Sequence, residues 1–93
     1  MIRSFDDKDT ERLFHRRRIA KFGPDLTKRA LEKLLMVNAA ETLNDLTMPP
    51  GNRLEPLAGT RKGQHSIRIN DQYRICFTWT RSGPAHVEIT DYH

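Results

Sequence analysis

Apolar side chains in the first half of the chain recur with the spacing of an amphipathic helix. Over residues 26–38 they fall at intervals of three and four residues, which places them on one face of a helix. Either Asp25 or Thr27 can begin this helix, and its apolar stripe needs a sheet to cover it. A second short helix is predicted over residues 39–46, and residues 48–52, which include two prolines, are expected to end all helix.

The segment before this helix predicts a short strand followed by a shorter helix. Residues 2–5 have the composition of an opening strand, and Asp7 or Asp9 can cap a helix that carries Leu13. This helix is expected to run into the consecutive arginines at 16–18, because cations suit a helix C-terminus.

In the second half of the chain the periodicity changes from helical to alternating. Apolar and polar residues alternate at 65–70, 73–79 and 86–91, and a turn at 81–84 separates the last two runs. This pattern predicts an antiparallel meander with one apolar face, on which the helices must pack. The sequence therefore predicts a single two-layer α+β domain over residues 1–93, with helices on a twisted, mainly antiparallel β-sheet.

Two arginines are predicted on the sheet face that points away from the helices. Because side chains alternate along a strand, Arg68 and Arg74 lie opposite the apolar positions of their strands. Matching the apolar faces requires an odd-numbered turn, which brings either Arg68 or Asn70 directly opposite Arg74. Such a pair can bind an anion, or it can simply keep a strand face soluble. As a surface residue, Arg74 is expected to cost only about 0.5 kcal/mol of stability when it is removed.

The charge of the chain narrows the classes of partner that it is expected to bind. Of the 93 residues, 16 are Lys or Arg and 12 are Asp or Glu, and 11 of the cations are arginines, whose planar fork fits phosphate oxygens. This excess suggests a nucleic acid partner, although mild positive charge is also common in small proteins without that function. The glycine-flanked loop 59–63 adds Arg61 and Lys62, which can contact a phosphate chain or only keep the loop soluble.

Cysteine usage and hydropathy indicate the compartment. The single cysteine, Cys76, excludes an internal disulfide and lies in an apolar strand pattern, where a buried, inert thiol is expected. No apolar run approaches the roughly 20 residues of a membrane span, and residues 1–6 lack the apolar core of a signal peptide. We therefore expect a cytoplasmic protein that does not associate with a membrane.

The chain ends in three residue types that are suited to catalysis, Asp91, Tyr92 and His93. Histidine titrates near neutrality and suits proton transfer, tyrosine can stack on a base, and a carboxylate can orient an imidazole. A terminal histidine is otherwise expected to fray. The 4 histidines lack the regular spacing of a metal site, so we expect no metal.

The order and spacing of several motifs resemble the HigB/GraT-type toxins of the RelE superfamily, which belong to type II toxin–antitoxin systems. The resemblance covers nearly the whole chain. Its motifs are the opening residues 1–5, Pro50-Gly51-Asn52-Arg53-Leu54-Glu55-Pro56-Leu57, then Gly59, Arg61 and Gly63, residues 66–77, and the final Asp91-Tyr92-His93.

This resemblance implies a RelE-like fold and endonucleolytic cleavage of messenger RNA, typically on the ribosome. In such cleavage the RNA 2′-hydroxyl attacks its own phosphodiester, so no metal, cofactor or protein nucleophile is needed. The resemblance implies that Arg74 contacts the scissile phosphate. It makes His93 the candidate general acid or base, with Tyr92 and Asp91 supporting it. The residues expected to bind the RNA are Arg68, Asn70, Arg61 and Lys62.

The resemblance also implies partners: a helix-turn-helix antitoxin of the HigA type, messenger RNA and the ribosome, with operator DNA reached only through the antitoxin. The chain departs from the family pattern at Ala58, where some relatives carry a Lys, and at Asn70, where some carry a second Arg. These departures keep open a non-catalytic RelE-fold module that binds RNA or a partner. A small DNA-binding regulator is a third possibility, although the chain has no helix-turn-helix of its own.

Overall fold

The computed structural model describes residues 1–91 and has helices packed on one face of an antiparallel sheet. The sheet has 4 strands in the order β1-β2-β3-β4. The predicted two-layer α+β class is therefore confirmed. The elements are α1 (Lys8–Phe14), α2 (Pro24–Ala39), β1 (Glu55–Pro56), β2 (His65–Arg68), β3 (Tyr73–Thr80) and β4 (Gly83–Asp91).

Both helices begin and end where local chemistry dictates. Asp7 caps α1, because its carboxylate accepts a hydrogen bond from the backbone N–H of Thr10. The predicted run of α1 into the arginines is wrong, since the helix ends at Phe14 and Arg16 takes a left-handed φ of 63°. The predicted start of α2 at Asp25 or Thr27 is also wrong. Pro24 occupies the first turn, where its fixed φ suits a helix and its missing N–H costs nothing.

The short helical stretch predicted over residues 39–46 is confirmed only in part, because residues 40–42 are not helical. A short 3-10 helix, Leu43–Thr47, forms where Thr42 and Asp45 close a capping box around its first turn. Hydrogen bonds from the backbone N–H groups of Thr42 and Glu41 hold the pKa of Asp45 below its usual value. Two more 3-10 turns, Pro50–Asn52 and Gly59–Arg61, follow, so the prolines do not end all helical structure.

The strand register decides between the two arrangements left open by the sequence. Arg68 lies directly opposite Arg74, and Ile67 lies opposite Ile75. The opening segment forms a single parallel bridge between Phe5 and Val87 rather than a strand. Its backbone hydrogen bonds to Pro84 and Val87 nevertheless cover part of the edge of β4.

The core lies between the helices and the sheet. Its largest fully buried side chains include Phe77, Leu13, Leu34, Ile67, Ile75, Val37 and Val87. The helical spacing predicts Leu34 and Leu35 together on the buried stripe of α2, but Leu34 is fully buried whereas Leu35 is 39% exposed, so the buried stripe is rotated away from Leu35. Neither α-helix within residues 1–91 combines the length and the hydrophobicity that a bilayer crossing requires.

Gly83, at the start of β4, occupies a position that requires glycine. Its φ is 123°, which side chains rarely permit, and a Cβ there would lie 2.8 Å from the carbonyl oxygen of Met1. The glycine therefore lets the N-terminal segment approach β4 closely.

Candidate active site on the outer face of the sheet

The outer face, which we define as the sheet face away from the helices, carries two rows of polar side chains. The rows follow from the register, because directly paired residues share a face. One row contains Arg68, Arg74 and Thr90, and the adjacent row contains Glu55, Ser66, Cys76 and Glu88.

Arg74 is the most constrained cation of the outer face. Its side chain is only 10% exposed. Nε donates to Ser66 Oγ at 2.7 Å, and Nη2 donates to the carbonyl oxygen of Arg53 at 2.8 Å. The same Nη2 lies 3.3 Å from Oε1 of Glu55. The predicted open exposure of Arg74 is therefore wrong, because the residues around the short strand β1 close over it.

The carbonyl that holds Arg74 belongs to a tight corner at residues 52 and 53. Arg53 takes a left-handed conformation, with φ 47° and ψ 54°. Asn52 is fully buried beside it, and its amide donates to the carbonyl oxygens of Leu46 at 3.2 Å and Met48 at 3.3 Å. Lys33 Nζ donates to the Asn52 side-chain oxygen at 2.5 Å. Asn52 thus fixes the corner from which Arg53 reaches Arg74.

We predict that Asn52→Ala destabilises the protein by about 1–3 kcal/mol, because buried carbonyl groups lose their donor. Chemical denaturation would measure the change. Asn44→Ala is the matched control, since Asn44 is exposed, and it should stay within about 0.5 kcal/mol of the wild type. Equal stabilities for the two variants would show that the buried amide does not hold the corner.

Arg68 is more accessible than the arginine opposite it. Its side chain is 30% exposed and forms an ion pair with Asp71 in the turn between β2 and β3. Like charges directly opposite each other on a sheet are destabilising. Here each guanidinium has its own carboxylate, Glu55 for Arg74 and Asp71 for Arg68, and these carboxylates offset the repulsion.

The Arg61 side chain lies across the part of the outer face that carries Glu88. Its Nη1 lies 2.6 Å from Glu88 Oε1 and donates to Gln64 at 3.0 Å. The hydrogen bond with Glu88 raises the pKa of Arg61. Arg61 therefore ties its loop to β4, whereas the neighbouring Lys62 is exposed.

The other predicted site residues are distributed around one end of the sheet. Asn70 has a turn-forming role, because its side-chain oxygen accepts from the N–H groups of Gln72 at 2.9 Å and Tyr73 at 2.7 Å. Asp91 is paired with Tyr73, so the alternation of the strand places it on the face opposite to Arg74, and it accepts from Gln72. Tyr92 and His93 lie outside the described residues.

Comparison with known proteins now identifies the family. The family model described as the RelE-like toxin of the type II toxin–antitoxin system HigB matches residues 3–93. The chain belongs to this HigB-like toxin family.

The chain is also similar to individual proteins, of which one is named as a HigB toxin. The chain is 41% identical over 80 residues to Toxin HigB-1 of Vibrio cholerae, a match that covers 85% of this chain and 84% of that protein. It is 40% identical over 60 residues to an uncharacterized protein of Haemophilus influenzae, covering 64% of this chain and 59% of that protein. The structure resembles a chain of the YoeB-YefM complex from Staphylococcus aureus, with a TM-score of 0.64 and 19% identity over 100% of this chain and 95% of that chain. At that identity the likeness shows the fold, and the RelE-like fold is confirmed.

Two contributors to the toxin's outer face were missed by sequence reasoning: Glu55 and the carbonyl group of Arg53. The alternation along β2 predicts Ser66 on the face of Arg68, and the register confirms that position. Glu55 was not detectable, because β1 is only 2 residues long and shows no period.

Proposed function

We propose that this toxin is an endoribonuclease that cleaves messenger RNA in the cytoplasm, on the ribosome, without a metal. The observation that carries the proposal is the fixed guanidinium of Arg74 with Arg68 directly opposite it on one sheet face. A preorganised cation costs no reorganisation when charge develops on a phosphate, which is the main requirement of phosphodiester cleavage.

The proposed reaction uses the RNA's own nucleophile. The 2′-hydroxyl gives its proton to a base, and its oxygen attacks the adjacent phosphorus. The bond from phosphorus to the 5′-oxygen breaks, and that oxygen takes a proton from an acid, which leaves a 2′,3′-cyclic phosphate. Arg74 stabilises the charge on the phosphoryl oxygens in this step.

Two groups are proposed for the proton transfers. The Glu55 carboxylate is half-exposed and lies 3.3 Å from Arg74, so it is placed to accept a proton next to the bound phosphate. His93, supported by Tyr92, is the proposed partner for the leaving oxygen, by resemblance to the family. Asp91 lies on the face opposite to Arg74, so its proposed support is indirect, at the end of β4, where it accepts from Gln72.

RNA and protein partners complete the proposal. Arg68 and Lys62 would bind the RNA backbone next to the cleaved bond. Arg61 and Asn70 would shape the protein surface around that RNA. A HigA-type helix-turn-helix antitoxin would neutralise the toxin, and operator DNA would be reached only through that antitoxin.

A non-catalytic module that binds RNA is the second candidate. It is favoured by Ala58, which lines a shallow cleft with Glu55 and Arg61 and brings no cation to it. Primer extension on translated messenger RNA, with and without ribosomes, separates the two functions. New 5′ ends within coding regions support the nuclease, whereas RNA binding without any cleavage supports the second candidate.

The proposed chemistry predicts that cleavage persists in excess EDTA. The described residues 1–91 contain no group of three or more His, Cys, Asp or Glu side chains that could hold a metal ion. Because ribosomes need Mg²⁺, the assay requires a free RNA substrate that tolerates chelation. If cleavage of that substrate stops in EDTA and returns only with added Mg²⁺, the 2′-hydroxyl mechanism as proposed is wrong.

A further inference from the structure

The loop between the two helices, residues 15–23, is a concentrated positive surface that the proposed site does not use. We call it the basic loop. Its 9 residues include 4 Lys or Arg and His15, and none of them is acidic.

The basic loop is held in one conformation. Ile19 is buried and anchors its middle in the core. Backbone hydrogen bonds run from Arg16 N to Leu13 O at 2.9 Å and from Arg17 N to Arg12 O at 2.9 Å. A bond from Phe22 N to Ile19 O at 3.1 Å fixes its second half. A fixed loop loses little conformational entropy when it binds a ligand.

The arginines of the basic loop differ from its lysine. Within residues 1–91, no carboxylate lies within ion-pair distance of Arg16, Arg17 or Arg18, and all three are exposed. Lys21, by contrast, is 2.8 Å from Asp9, and its pKa is raised mainly by that hydrogen bond. Arg17 also lines a shallow cleft together with Lys8, Glu11, Arg12 and His15. Most of these side chains are cationic, so the cleft suits an anionic chain.

The basic loop lies at the same end of the sheet as the two arginines of the outer face. The ring of Phe22 contacts the ring of Tyr73 edge-on, with centroids 6.3 Å apart. Tyr73 begins β3 and precedes Arg74, which is opposite Arg68. The Phe22 end of the basic loop therefore lies beside the end of the sheet at which an RNA strand can leave the outer face.

We propose that the basic loop is a second docking surface for the phosphate backbone of RNA, with Arg17 and Arg18 as its contacts. The inference rests on the proposed function, because RNA is the substrate that brings a polyanion to this end. Arginine forks match phosphate oxygens in two-point contacts, and backbone contacts position a strand without reading its sequence. The phosphates are those of the message beside the cleaved bond, because that strand leaves the outer face at this end of the sheet.

The test compares two double variants of the full-length toxin. Arg17→Ala/Arg18→Ala removes two charges from the basic loop. Arg3→Ala/Arg81→Ala removes two exposed charges from the other end of the sheet, where the backbone N–H of Arg3 donates to the carbonyl oxygen of Pro84 and Arg81 lies in the β3–β4 turn. Binding is measured against salt with a single-stranded RNA and an RNA hairpin, both 2′-O-methylated so that they cannot be cleaved.

For the basic-loop variant, the slope of log K against log[salt] on a single strand is expected to fall by about 1.4, which is about 0.7 for each lost phosphate contact. The control variant should keep the wild-type slope. A lower slope on the single strand supports docking of the message, whereas a change confined to the hairpin overturns it and assigns the surface to structured RNA.

An unchanged slope on both probes, or an intact toxin that binds neither, overturns the inference. Weakened binding of the antitoxin with unchanged RNA binding also overturns it and assigns the loop to a protein partner. Cleavage is assayed separately, so a toxin that binds RNA through the loop but never cuts it contradicts only the proposed function.

Discussion

Replacing Arg74 with alanine is expected to reduce single-turnover cleavage by about 100-fold or more, because the proposed mechanism then loses the fixed cation that would stabilise transition-state charge. The same change is expected to destabilise the protein by about 1–3 kcal/mol, since Ser66 and the Arg53 carbonyl lose a buried donor. This loss of stability is larger than the roughly 0.5 kcal/mol that the sequence predicts for Arg74 as a surface residue. Both quantities can be measured on one preparation, by cleavage of free or ribosome-bound RNA and by chemical denaturation.

Arg81→Ala is the matched control for this prediction. It removes an arginine from the exposed turn that follows the same strand, so cleavage and stability should stay close to the wild type, within about 0.5 kcal/mol. Arg74→Lys keeps the charge but not the planar fork that reaches several acceptors, and it should also cleave poorly. A folded Arg74→Ala protein with wild-type cleavage would remove Arg74 from the active site.

Deleting Tyr92 and His93 is expected to slow single-turnover cleavage by about 10²–10⁴-fold, which is the usual contribution of general acid–base catalysis. Antitoxin affinity should be nearly unchanged, provided that the antitoxin binds elsewhere. The two measurements together separate a catalytic defect from a folding defect.

The control for the deletion is another histidine. His86 is exposed, and its Nδ1 lies 2.8 Å from Asp6 on the far side of β4, so His86→Gln should leave cleavage intact. If the truncated toxin cleaves within about threefold of the full chain, the acid–base group lies elsewhere, and Glu55 becomes the first residue to substitute.

The hairpin at the centre of the site was predictable because its signal is local. Alternation assigned Arg68 and Arg74 to one face, and the need to match apolar faces left only two registers. The choice between them depends on the turn, where Asn70 accepts two backbone N–H groups and so favours the tighter arrangement. The alternation of apolar and polar residues does not predict these side-chain hydrogen bonds of Asn70.

The burial of Arg74 was not predictable from the sequence. It depends on the left-handed corner at Arg53 and on a strand of 2 residues, and neither leaves a periodic pattern of apolar and polar residues in the sequence. The helix boundaries failed for a related reason. The capping box at Thr42 and Asp45 captures nearby backbone groups and outweighs the apolar pattern of residues 39–46.

The placement of Cys76 beneath Arg61 gives the toxin a built-in reporter. Its thiol is fully buried on the outer face, paired across the sheet with Glu88, to which Arg61 is bonded. A thiol reagent can therefore reach it only when the strands open or the loop around Arg61 lifts. Because Cys76 is the single cysteine of the chain, its labelling rate measures how often the strands or the Arg61 loop open. RNA or antitoxin that binds over the Arg61 loop and keeps it closed would lower that rate. The labelling rate therefore reports whether the outer face is occupied, and it does not depend on cleavage.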